Sequence, residues 1–192
     1  MIRIIIKHKD IKMAQNTKSQ NQVVYKVYMT LSLIAAVLLL TIGGLATWAS
    51  SYTTNMVRTE LAAQKIYFPA KGSAALDPKE YPDLQKYAGQ LVDSAPKAEA
   101  YANGFIGRHL EAVAGGKVYA EVSAEAKLDP TNAKLAGQKA TLFQGETLRG
   151  LLLGDGFAFG TIGHIAGVAA YIAFIGSAVM LLAAGVFAKK KA

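Results

Sequence analysis

Cysteine is absent, charged residues make up only 18% of the chain, and histidine occurs 3 times. Without cysteine there is no disulfide and no thiolate metal site, so apolar packing must hold any fold. His8, His109 and His164 lie far apart and form neither an HExxH zinc pattern nor a CxxCH haem attachment. The G-x-S-x-G elbow of a nucleophilic serine is missing. Phosphate-binding glycine signatures are missing too. Gly104 and Gly107 fall within a helical pattern, and Gly154-Asp155-Gly156 follows leucines without the strand that such a loop requires. Strand signals are scarce. An apolar content of 52% argues against disorder.

A net charge of +8 invites an acidic partner, but its distribution does not. Arg3, Lys7, Lys9, Lys12, Lys18 and Lys26 oppose the single acid Asp10 at one end, and Lys189, Lys190 and Lys191 close the other. Between them 12 basic and 12 acidic residues cancel. No basic patch lies within the body of the chain, which excludes a nucleic-acid binder.

Two uncharged apolar runs sit just inside these basic ends. Val27 to Ala49 carries no charge and is flanked by Tyr25 and Tyr28 at one end and by Trp48 and Tyr52 at the other. About 20 helical residues cross a bilayer, and amphipathic rings mark its interfaces. The run exceeds the apolar core of a signal peptide, so it reads as an uncleaved anchor. Gly156 to Ala188 is also uncharged and, as a helix, would be about 50 Å long, more than a membrane needs. Counting back about 20–22 residues from Phe187 puts the outer boundary near Ala166–Val168, and Gly156 to Ile165 then serves as domain core. His164 falls at that interface and reads as a half-solvated residue. Basic residues at both ends place both termini in the cytoplasm.

The fold expected is therefore an all-α membrane protein of the plasma membrane, with two transmembrane helices forming a hairpin around a small helical extracytoplasmic domain. Its parts are a basic cytoplasmic segment 1–26, spans 27–49 and 166–188, the domain 50–165, and a basic tail 189–192. Met13-Ala14-Gln15 resembles an ordinary start, and Met1 to Lys12 reads as an upstream start or a short amphipathic surface segment.

Within the outer domain, residues 50–68 continue the first helix through Val57, Leu61 and Gln64/Lys65. A loop marked by Pro69, Gly72, Pro78 and Pro82 follows. A helix then begins near Pro96 after Ser94 or Ala95, with Tyr101, Ala102, Phe105, Ile106, Leu110 and Val113 on one face. Gly115-Gly116 ends it. Lys117 to Lys127 forms a short helix. Asp129-Pro130 reads as an N-cap with proline in the first turn of a last helix. That helix runs through Leu135, Leu142, Phe143, Leu148 and Leu151–Leu153 into the second span.

Two features bear on function. Gly150/Gly154, Gly156/Gly160 and Gly163/Gly167 are spaced four apart, as small residues are where helix backbones approach closely. They suit either a contact with another chain or packing against Gly43, Gly44 and Ala46 of the first span. His109 shares a helical face with Phe105 and Val113, as a core histidine bonded to a carbonyl or as a buried acid–base residue with Glu111 or Tyr119. No catalytic, cofactor or metal residue is assigned.

Ala46-Thr47-Trp48 at the end of the first run, AEAYANGFIGRHLEAVAGGKVYAEV from Ala98 to Val122, and the leucine-rich approach to the second run resemble a family of small actinobacterial two-span membrane proteins. Residues 40–188 take part, and the segment Tyr67 to Pro96 is longer than in that pattern. Some members are labelled aromatic ring-opening dioxygenases. Extradiol chemistry needs two histidines and a carboxylate on one iron, which this chain cannot gather. The build is also similar to accessory subunits of the actinobacterial cytochrome bc–cytochrome oxidase supercomplex. The resemblance implies a non-catalytic accessory subunit of the electron transport chain, with membrane lipids and other integral membrane subunits as partners and no nucleic acid. The alternative is a stand-alone envelope protein that binds a lipid or small ligand through its outer domain.

Overall fold

The structure, a computed structural model, describes residues 2–191, with side chains at Met13, Gln15, Asn16 and 18–190. His8 and the reading of Met1 to Lys12 lie outside the described side chains. The protein is all-α. The described helices are α1 (Ile2–Ala63), α2 (Ala95–Glu99), α3 (Arg108–Ala114), α4 (Tyr119–Leu128), α5 (Ala133–Leu151) and α6 (Phe159–Lys191). Two π-helical segments, Ala100–Gly107 and Leu152–Ala158, join α2 to α3 and α5 to α6. Among the described residues the one β interaction is an isolated antiparallel bridge between Tyr67 and Leu91. Two helices are long and apolar enough to cross a membrane, and in each apolar window only 17% of residues are buried within the protein. The core helix of a soluble protein would be mostly covered; these faces are not.

The chain divides into two compact units, residues 1–48 with 166–192, and residues 49–165. In the first unit, α1 and α6 run antiparallel along a narrow seam. On α1 the covered positions include Tyr25, Met29, Ser32, Ala36, Leu39, Gly43 and Ala46, with Ala35 beside them; on α6 they include Ala170, Ala173, Ser177, Met180, Ala184 and Phe187, with Gly176 and Ala183 beside them. Steps of three and four residues give a seven-residue period, the spacing at which a helix keeps one face on its partner through knobs-into-holes packing. Most of the side chains are small because apolar burial gives no drive between helices in lipid, and close backbone approach must supply the contact. A Cβ at Gly43 would lie 2.8 Å from Phe174 Cε1. Ser177, 1% exposed, donates its hydroxyl proton to the Ala36 carbonyl at 3.0 Å, so the seam buries no orphaned hydroxyl. The glycines anticipated as partners for α6 behave differently from one another: Gly43 meets Phe174, whereas Gly44 faces open space.

In the second unit the core gathers Val57 and Leu61 of α1, Phe68, Leu76, Leu84 and Val92 of the long loop, and one face of each later helix. From α2 through the π segment to α3 the buried positions are Ala98, Ala102, Ile106, Leu110 and Ala114. A strict step of four drifts around an α-helix, because four residues exceed one turn of 3.6. A π turn closes on the fifth residue, turns less per residue, and brings the face back into line. Gly115 and Gly116, at φ 63° and 81°, end α3 in the left-handed region where a side chain is strained, as the sequence predicts.

The start of the next helix differs from expectation. The N-cap of α5 is Asn132, whose side chain accepts the Leu135 N–H at 3.1 Å. Asp129 instead ends α4 and holds the turn, accepting from Thr131 Oγ1 and Asn132 Nδ2, both at 3.1 Å. Helix α1 likewise stops at Ala63, and Gln64 and Lys65 are exposed beyond it, so the anticipated stripe ends at Leu61.

Candidate functional site

The glycines of α5, its π segment and α6 separate into two groups. Gly156 and Gly160 belong to an internal contact with α2. A Cβ at Gly156 would lie 2.8 Å from Ala98 Cβ, and one at Gly160 would overlap Ala95 Cβ. Gly163 faces α1, where a Cβ would lie 3.2 Å from Thr53 Cβ. These contacts are within the chain, but with Ala95, Ala98 and Thr53 rather than with Gly43, Gly44 or Ala46. Gly167 is half-buried. Gly150 and Gly154 are exposed, and nothing lies within 4 Å of a Cβ built at either.

Gly154 sits in an uncovered apolar strip. Leu151, Phe159, Ile162 and Ile165 are 54%, 45%, 57% and 61% exposed, and Gly154, Ala158 and the one charged residue there, Asp155, are exposed between them. Gly156 to Ile165 was expected to serve as domain core. Only one side of it does so, through Gly156 and Gly163. Composition cannot divide a helix that is apolar all round into covered and uncovered faces.

His109 lies on α3 and is exposed, although Phe105 and Val113 are half-buried. The covered row of α3 runs through Leu110 and Ala114, and His109 lies one residue to the side of it. His164 is exposed as well. Among the described residues no three His, Cys, Asp or Glu side chains lie close enough together to hold a metal ion.

A second feature escaped sequence reading because its parts come from three stretches of chain. An open cleft of about 390 Å³ lies between the turn Pro82–Tyr87 and the helix Ala95–Arg108, with Lys86, Tyr87, Glu99 and Asn103 among its lining residues. Arg108 closes one side with two parallel bonds to Asp83, at 2.8 and 2.9 Å, and donates a third to the Glu80 carbonyl at 3.2 Å. Asn103 Oδ1 accepts from Arg149 Nη2 at 3.1 Å. Arg108 and Arg149 therefore spend their donors fastening elements to one another.

The hydrogen bond from Arg108 holds the Asp83 carboxyl below its ordinary 3.8, and Lys97, 2.9 Å from Asp93, does the same there. Both carboxylates release their protons more readily when folded than when unfolded. Their stabilisation is present above the ordinary carboxylate pKa and is lost as pH falls through the lowered folded values. Denaturant midpoints measured from pH 6 down to pH 2 should fall in the acid range. Arg108→Ala with Lys97→Ala should flatten that fall, and an unchanged acid slope would contradict it. The effect is small, since exposed pairs contribute about 0–1 kcal/mol.

Comparison with protein-family models, with curated proteins and with solved structures finds no match to this chain.

Proposed function

We propose that the protein is a non-catalytic accessory subunit of a membrane complex in the plasma membrane, with both termini cytoplasmic and residues 50–165 outside. The observation that carries this reading is the uncovered strip Leu151–Gly154–Ala158–Phe159–Ile162–Ile165. A second span reaching back about 20–22 residues from Phe187 leaves this strip beyond the hydrocarbon, where lipid does not cover it. Exposed contiguous apolar surface with small residues set into it is the signature of a protein contact. On α1, Ser51, Thr54, Asn55 and Arg58 are exposed and polar, beside the exposed Tyr52. The basic ends favour the stated orientation. The resemblance to actinobacterial two-span proteins makes the cytochrome bc–cytochrome oxidase supercomplex the leading assembly.

Purification of the full chain in mild detergent tests this. Integral membrane subunits should co-purify, and haem absorbance in the eluate reports whether they are respiratory. Gly154→Leu enters open space, so helicity should be unchanged while partner recovery falls about tenfold or more, as loss of a central contact does. Recovery as a lone homomer, or a Gly154→Leu chain that keeps its partners, would sink the proposal. Partners without haem would retain the accessory role and remove the respiratory assignment. A co-purifying lipid with no protein partner would favour the stand-alone ligand binder.

A further inference from the structure

The antiparallel seam brings the two basic stretches of the chain to one end of the span pair. Tyr25 stacks on Phe187 with centroids 6.4 Å apart and planes at 23°, and Tyr28 packs on the same ring at 5.4 Å. Lys190 Nζ lies 5.9 Å from the Tyr25 ring centroid. The stack therefore holds Lys190 against Tyr25, the chain neighbour of Lys26 and remote from Lys190 in sequence, and Lys26, Lys189 and Lys190 are all exposed. No Asp or Glu occurs in 13–48 or in 166–192. All of the excess positive charge lies outside residues 49–165, where acids and bases balance.

Apolar surface flanks Lys26 on both sides, with Val23 and Val24 exposed before it. Val27, Tyr28 and Val186 are each 51% exposed, one turn or less from Lys26 or Lys190. Aliphatic stems along apolar surface with ammonium heads at its edge are arranged to meet a molecule that is anionic at one end and apolar at the other.

We propose that this end of the span pair binds one anionic phospholipid, its phosphodiester between Lys26 and Lys190 and its acyl chains on the helix faces that begin at Val27 and Val186. A soluble phosphate would use the charges and leave the apolar faces idle, so the lipid is the occupant that matches both. The aromatic stack makes the site more than a diffuse basic surface, because it sets where the Lys190 ammonium stands, against the ring that precedes Lys26 in the chain. The inference rests on the two helices lying in a membrane and not on the accessory-subunit reading.

Native mass spectrometry of the full chain in a neutral detergent tests it, with phosphatidylglycerol and phosphatidylcholine of identical acyl chains as probes. One phosphatidylglycerol should be retained per chain, about tenfold or more over phosphatidylcholine, as attraction to a few interfacial lysines implies. Lys26→Gln with Lys190→Gln should abolish that preference. Lys18→Gln, about 12 Å farther along α1, should keep it. All three positions are exposed, so unchanged circular dichroism is expected. Equal retention of the two lipids, an equal loss in Lys18→Gln, or displacement by millimolar inorganic phosphate would each overturn the proposal. A chain that remains soluble and monodisperse without detergent would instead remove the membrane reading itself.

Discussion

Replacing Phe68 by alanine is expected to destabilise residues 49–165 by about 3–5 kcal/mol, the range for removing a buried aromatic ring. Phe68 is 2% exposed, stacks on Tyr87 at 5.2 Å and 24°, and meets Tyr101 edge-on at 5.0 Å and 80°. Its N–H donates to the Gln90 carbonyl at 2.9 Å, beside the Val92 N–H to Ile66 carbonyl bond at 2.8 Å. One side chain thus ties the start of the long loop to its end and both to the π segment. With no cysteine in the chain, no disulfide can take over that task. Burial also raises the Tyr101 phenol above its ordinary 10.0, as expected of a ring inside this cluster. Tyrosine near-UV circular dichroism of the full chain in detergent should be lost at a lower denaturant concentration in Phe68→Ala. Far-UV helicity should persist longer, since the seam between α1 and α6 involves none of these residues. A wild-type midpoint in Phe68→Ala would refute the assignment.

Gly160→Ala is expected to cost about 1–3 kcal/mol, the usual penalty for overpacking, although alanine is the better helix former. The reason is geometric. The added Cβ would meet the Ala95 Cβ, which has no torsion by which to withdraw, so the backbone of α2 or α6 has to move. Gly145 contrasts with it: a Cβ there meets Leu110 Cδ2, the end of a side chain that has other rotamers. Gly150→Ala has the opposite expected sign, a gain of about 0.5–1 kcal/mol, because nothing is near and the glycine's flexibility in the unfolded chain is removed. Thermal unfolding of the three variants in one detergent gives the comparison. Equal shifts for Gly150→Ala and Gly160→Ala would show that α2 does not dock on α6 as described.

The same contrast shows what was legible in the residues. Four-residue spacing marks Gly150/Gly154, Gly156/Gly160 and Gly163/Gly167 as one class, yet the second pair is filled from within the chain and the first is open. Spacing reports that two small residues share a face; it carries no information about which segment, remote in sequence, arrives there. Ser94 before Pro96 and Gly115-Gly116 were readable because caps and left-handed positions are set by neighbours in sequence. Asp129 and Asn132 were harder to tell apart, since both are good caps and three residues separate them. His109 was expected inside because it is four residues from both Phe105 and Val113, but the covered row of α3 runs through Leu110 and Ala114, one residue to the side.

Alone, the amino-acid order determines the helical class, the two apolar runs long enough for a bilayer, and the confinement of the net charge of +8 to the two ends. These are local or summed properties, additive along the chain. Tertiary structure decided which small residues form the seam between α1 and α6, which side of α6 remains uncovered, and that Lys26 and Lys190 stand at one ring stack. Those depend on pairs distant in sequence, and only close packing, with its intolerance of a methyl group more or less, selects among the pairings that periodicity allows.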